Sequence, residues 1–208
     1  MKGNIKKLAV LMTVAAMAMF TVVAMASAQK NNSKVIGEYA VTGKMSCLIA
    51  QSGFNGNFIP IDAATALSNS STFQGIATFE HNGTGTFNTT GVLITPPPVP
   101  SPQPPHANAF DFSFNFTYHV AKDDTITIDA DKDSFQVTFN TGPKIAPFFT
   151  ADQYSLSGMV SADHKTLTLG PPTTLIQTCT FSGGGPTMYM ICNGSYVFTR
   201  LRQGEGEK

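Results

Sequence analysis

The chain has 208 residues, with 13 basic and 13 acidic side chains and only 12% charged residues overall. Its 16 phenylalanines and its lack of tryptophan weight the apolar content toward one strand-favouring residue. This balance offers no electrostatic footprint for nucleic acid or anionic lipid.

The first 28 residues read as a leader. Lys2, Lys6 and Lys7 precede an apolar segment from Leu8 to Val23, and Ala26-Ser27-Ala28 supplies the small residues of a signal-peptidase site, so cleavage is expected after Ala28. The apolar run approaches the roughly 20 residues that span a bilayer, but the polar stretch Gln29-Lys30-Asn31-Asn32-Ser33 follows directly and argues for removal over anchoring. The short basic start is of bacterial type, and the expected location is the periplasm or the medium. Processing removes three basic residues and no acidic one, leaving 180 residues of formal charge −3, enough for one domain with a substantial core. Residues 29–34 then form a polar N-terminal segment, residues 35–202 the domain, and residues 203–208 a flexible charged tail.

Along the domain, short β-patterned segments alternate with Gly, Pro, Asn and Asp. Strands are expected near residues 35–41, 44–50, 72–80, 85–94, 110–120, 125–129, 134–140, 153–161, 166–169, 174–181 and 188–201, with a turn or two of helix near 61–67. Hairpins are expected at Glu80-His-Asn-Gly-Thr84, with Asn82-Gly83 at its apex, and at Ser161-Ala-Asp-His-Lys165. Consecutive hairpins make an up-and-down sheet, and about eight to ten strands of this length remove their edges by closing into an antiparallel β-barrel. A β-sandwich is the alternative architecture. Pro96-Pro-Pro-Val-Pro-Ser-Pro-Gln-Pro-Pro105 cannot donate a strand ladder and reads as an extended loop, within 95–107, between two strands.

Phe110-Asp-Phe-Ser-Phe-Asn-Phe-Thr-Tyr118 places an aromatic at every second position, so one face of this strand carries Phe110, Phe112, Phe114, Phe116 and Tyr118. Burial of that face predicts an interior lined by Phe112, Phe114, Phe116 and Tyr118, suited to a fatty, aromatic or isoprenoid compound unless the rings fill it themselves. The opposite face carries Asp111, Ser113, Asn115 and His119. If that face pointed inward, His119, with Glu38, would be the alternative polar site, serving as ligand-binding group or acid–base catalyst.

Three cysteines, Cys47, Cys179 and Cys192, remain in an oxidising compartment, so at least one disulfide is expected. Cys179 and Cys192 flank the turn-rich Ser182-Gly-Gly-Gly-Pro-Thr187, and pairing across that turn makes them the preferred bridge. A closed barrel would set the first strand beside the last and bring Cys47 to Cys192 instead.

Other chemistries lack support. Asp129-Ala-Asp-Lys-Asp133 opens like a calcium loop, but Ser134 occupies the glycine position and Asn140 the bidentate glutamate position, so a solvated hairpin turn is expected there. His81, His106, His119 and His164 have no metal-ligand spacing, and no nucleophile elbow, phosphate loop or zinc motif is present. No cofactor is expected.

Gly37-Glu-Tyr39, Phe79-Glu-His-Asn-Gly-Thr-Gly-Thr-Phe87, Gly158-Met-Val-Ser-Ala-Asp-His-Lys-Thr-Leu-Thr-Leu169 and the late Arg200 together resemble small secreted bacterial barrels of the calycin kind, lipocalin-like or allene-oxide-cyclase-like. Tyr39 stands where the lipocalin Gly-x-Trp places tryptophan, and Arg200 matches the closing arginine by its position. The resemblance implies a central cavity and an apolar ligand, with Tyr39 among the lining residues, and transfers no catalytic residue. The expected function is therefore an exported, non-enzymatic barrel that binds a small hydrophobic molecule. The alternatives are a protein-binding module or protease inhibitor of the cell envelope, contacting its partner through the Pro-rich loop or residues 29–34, and a cyclase or isomerase of apolar substrates.

Overall fold

The computed structural model of the protein describes residues 31–96, 106–131, 133–141, 148–150, 154–181 and 187–201. The expected leader, most of the loop expected at 95–107, the turn expected at 182–186 and the tail expected at 203–208 lie outside the described residues.

One antiparallel sheet contains β1 (Gly37–Ala50), β2 (Leu67–Phe79), β3 (Thr84–Thr95), β4 (His106–Val120), β5 (Thr125–Ala130), β6 (Gln136–Phe139), β7 (Phe148–Thr150), β8 (Ser155–Val160), β9 (Thr166–Gly170), β10 (Ile176–Phe181) and β11 (Met188–Arg200). Pairing of β1 with β11 and of β4 with β6 closes the sheet on itself. The fold is all-β and barrel-like. The chain runs up and down around the ring in sequence order, with β1, β2, β3, β4 and β11 spanning its height.

The other strand positions are each shared by two short strands. β5 and β6 both pair with β4, β8 and β7 come next, and β9 and β10 both pair with β11. The Asp-rich segment after β5 is therefore a bulge within one strand position and not the hairpin turn expected from its composition. Asp131 N donates to Asn115 O at 2.8 Å, and Asn115 N donates to the Ser134 hydroxyl oxygen at 3.1 Å, so a serine side chain substitutes for strand backbone across the interruption. Conversely, the two strands expected before and after residue 43 are one continuous β1. The helical signal near 61–67 resolves to a single 3₁₀ turn, Ala63–Thr65, capped by Asp62 Oδ1, which accepts from Ala64 N at 3.0 Å.

Hairpins at Glu80, Ala121 and Ser161 close one end of the ring. In each, the residue before the turn donates its backbone N–H to the residue after it at 2.8 Å. The N-terminal segment seals this end. Asn32 bridges the last residues of β4, its Oδ1 accepting from Val120 N at 2.9 Å and its Nδ2 donating to Tyr118 O at 3.3 Å, while Val35 is fully buried beneath it. Part of the polar segment expected at 29–34 therefore packs against the ring through Asn32. Arg200 completes the seal: its Nη2 donates to Lys34 O and Ile36 O at 3.1 and 2.5 Å, and its guanidinium lies 5.4 Å from the Tyr39 ring centroid.

Alternation along β4 sends Phe110, Phe112, Phe114, Phe116 and Tyr118 inward and leaves Asp111, Asn115 and His119 exposed. Aromatic rings fill the sealed half. Phe79 meets Tyr39, Phe116 and Tyr118 edge-on at 5.0–5.2 Å, and Phe87 stacks on Phe114 at 4.6 Å. One glycine makes room for this density. Gly43 is paired with Phe73 across β1 and β2, and a Cβ at Gly43 would stand 2.3 Å from the Phe73 ring.

Candidate ligand-binding site

The half of the interior away from the Glu80, Ala121 and Ser161 turns is not filled. A cavity of about 220 Å³ occupies it, bounded by β1, β2, β3, β4, β6, β10 and β11. Ile49, Leu93, Phe110, Phe112, Val137 and Phe139 give it apolar walls. A second set of walls is sulfur-rich: Met45, Met188 and Met190 line the cavity together with the Cys47–Cys192 disulfide. Thioethers are flexible and polarisable, which suits a surface that adapts to a guest. Among the described residues no charged side chain lines the cavity; its polar contributions come from groups such as Asn69, Ser71, Asn108 and Gln177.

The disulfide is the alternative pairing, and the preferred Cys179–Cys192 bridge is corrected. Cys47 and Cys192 are direct cross-strand partners with Cα atoms 4.1 Å apart, and both sit on the inward face. β10 and β11 instead pair with Cys179 opposite Met188, four residues from Cys192 along β11, a separation of about 13 Å at strand rise. Cys179 is buried outside the bridge.

Of the lining expected from the aromatic strand, Phe112 borders the cavity, together with Phe110. Phe114, Phe116, Tyr118 and Tyr39 face inward but lie in the sealed half, where their neighbours are other rings. The alternative polar site does not form inside: His119 and Glu38 are both exposed on the outer face. Alternation along the strands carries further signals for the lining. Extending the inward face of β4 back by two residues reaches Asn108, and the same parity along β11 brings in Met188, Met190 and Cys192.

Tyr154 separates the cavity from the packed half, and its hydroxyl is hydrogen-bonded to that of Tyr196, which also lies 3.8 Å from the Met45 sulfur. Burial pushes the Tyr154 phenol well above its ordinary pKa, with the neighbouring Tyr196 raising it further. Burial likewise raises Tyr196 to about 12, partly opposed by its hydrogen bond to Tyr154. Above pH ~10 the unfolded chain releases these protons while the folded chain retains them, so their contribution is complete below that pH and is lost as pH climbs through the folded values. Denaturant melts should therefore show stability falling between about pH 10 and pH 12, and Tyr154→Phe/Tyr196→Phe should make that decline shallower.

Compared with known proteins, the chain matches no protein-family model and no curated protein sequence.

Proposed function

We propose that this is an exported, non-enzymatic barrel that holds a small hydrophobic molecule in its open half. The observation that carries this reading is the uncharged cavity of about 220 Å³ above a close-packed aromatic floor. An apolar void left in an otherwise dense interior forgoes dispersion contacts that a guest would restore. No Asp, Glu, His, Lys or Arg among the described residues lines it, which favours binding over proton-transfer chemistry.

The Cys47–Cys192 disulfide is compatible with an extracellular location. The basic, apolar and small-residue order of residues 1–28 supports export by a cleaved leader. A calycin-like kinship is part of the same proposal; it is supported by the contact between Tyr39 and Arg200, two of the residues on which the resemblance rests.

Titration with a neutral fluorescent probe such as N-phenyl-1-naphthylamine tests the reading. Saturable one-to-one binding is expected, and Leu93→Trp, which puts an indole into the cavity from β3, should weaken it at least about ten-fold with little loss of stability. Absence of saturable binding, or equal binding by the variant, would refute it.

A further inference from the structure

We propose that Asn108 selects ligands whose polar group is neutral and both donates and accepts hydrogen bonds, an alcohol or a primary amide, over fatty-acid anions; this rests on the cavity being an apolar-ligand site.

Asn108 sits on the inward face of β4, opposite Leu93 of β3 and two residues before Phe110. It is 1% exposed, and neither its Nδ2 nor its Oδ1 has a hydrogen-bond partner. Buried side-chain amides are ordinarily satisfied, because leaving one unpaired in apolar surroundings is costly. Among the described residues these are the buried side-chain polar atoms left without a partner, and they belong to a residue that borders the cavity. The terminal torsion of an asparagine is soft, so a small turn of the amide presents it to a guest.

The chemistry of the amide specifies the guest. Its NH₂ offers two donors and its oxygen accepts. A hydroxyl answers both, accepting from Nδ2 and donating to Oδ1, and a primary amide does the same through two antiparallel bonds. A carboxylate accepts from Nδ2 but leaves Oδ1 facing negative charge, and no cation among the lining residues compensates its loss of water. Gln177, also buried and on the facing β10, adds a second uncharged amide to the same cavity.

Size narrows the class. A dry cavity of about 150 Å³ takes benzene, so the volume here encloses about nine non-hydrogen atoms of a guest, and the remainder of a larger one, whether an alkyl tail or the second ring system of the probe, emerges from the open end. The ligand class is thus a short neutral amphiphile, a medium-chain or aromatic alcohol or amide.

Competition against bound N-phenyl-1-naphthylamine by 1-decanol, decanamide, decane and decanoate at pH 8, using protein purified after expression of the full chain, tests this. Decanol and decanamide should displace the probe at concentrations at least ten-fold below those needed for decanoate. In Asn108→Leu the advantage of decanol over decane should vanish while decane and the probe still bind, and its ligand-free Tm should equal or exceed that of the wild type, showing that the fold is intact. Decanoate competing as well as decanol, or an unchanged decanol-to-decane ratio in Asn108→Leu, would overturn the assignment to Asn108 while leaving the apolar site standing. Failure of every compound and of the probe itself would overturn both.

Discussion

Replacing Cys47 and Cys192 together by alanine should lower the unfolding free energy by about 4–5 kcal/mol and the Tm by about 10–15 °C. The two cysteines are 145 residues apart in sequence, so the bridge closes a loop that contains nearly all of the domain. In the chain-entropy account a loop that long removes about 5 kcal/mol of disorder from the unfolded chain. It also links β1 to β11, the first strand to the last, where the ring closes. Thermal melts under non-reducing conditions, with and without a reductant for the wild type, measure the effect. Peptide mapping should join Cys47 to Cys192 and leave Cys179 alkylated only after unfolding. Cys179→Ala should leave the bridge intact. A wild-type protein whose melt ignores reductant, or whose map joins Cys179 to Cys192, would contradict the observed register.

The second large effect is expected from Phe87→Ala, a loss of about 3–5 kcal/mol. Phe87 lies on β3 at 1% exposure, and its ring meets Phe73, Phe112, Phe114, Tyr196 and Phe198 with centroids 4.6 to 6.4 Å apart. These partners come from β2, β4 and β11, strands held in place by their own ladders. The backbone around the deleted ring therefore has little freedom to collapse into the void, which places the cost toward the upper part of the range. Phe87→Leu should cost less, and Thr86→Ala on the exposed outer face should fall within about 0.5 kcal/mol of wild type. Because Phe112 touches Phe87 and also borders the cavity, the alanine variant should weaken probe binding too. Equal stability of Phe87→Ala and Thr86→Ala in denaturant melts would refute a packed aromatic core.

The strands were legible in the sequence because alternation of apolar and polar residues is a local property of a half-buried ladder. Phe110 to Tyr118 shows this best: the period alone identified the strand and its inner face. The hairpins at Asn82-Gly83 and Asp163-His164 were legible for a similar reason, since their turn residues act within four positions.

What depended on partners several strands away was less accessible. Asp131 to Ser134 has the composition of a hairpin turn, and only the pairing of both β5 and β6 with β4 makes it a bulge. The disulfide required the register of β10 against β11, which puts Cys179 opposite Met188, as well as closure of the ring. The division of the aromatic strand between a filled half and an open half depends on where Phe79, Phe87 and Phe198 insert from other strands. The signal for Asn108 was present in the strand period, but a strand expected to begin at Phe110 stopped short of it. His119 and Glu38 became outward residues by the same parity that turned the aromatics inward.

An apolar guest in the open half, as proposed, would be carried through purification. Its presence is tested most directly by native mass spectrometry of the protein purified from its natural compartment under non-reducing conditions, followed by organic extraction of bound material. A one-to-one adduct of low mass that partitions into the organic phase and is lost from Leu93→Trp is the expected result. A clean ligand-free mass, together with no saturable uptake of the neutral fluorescent probe by the wild type, would contradict it.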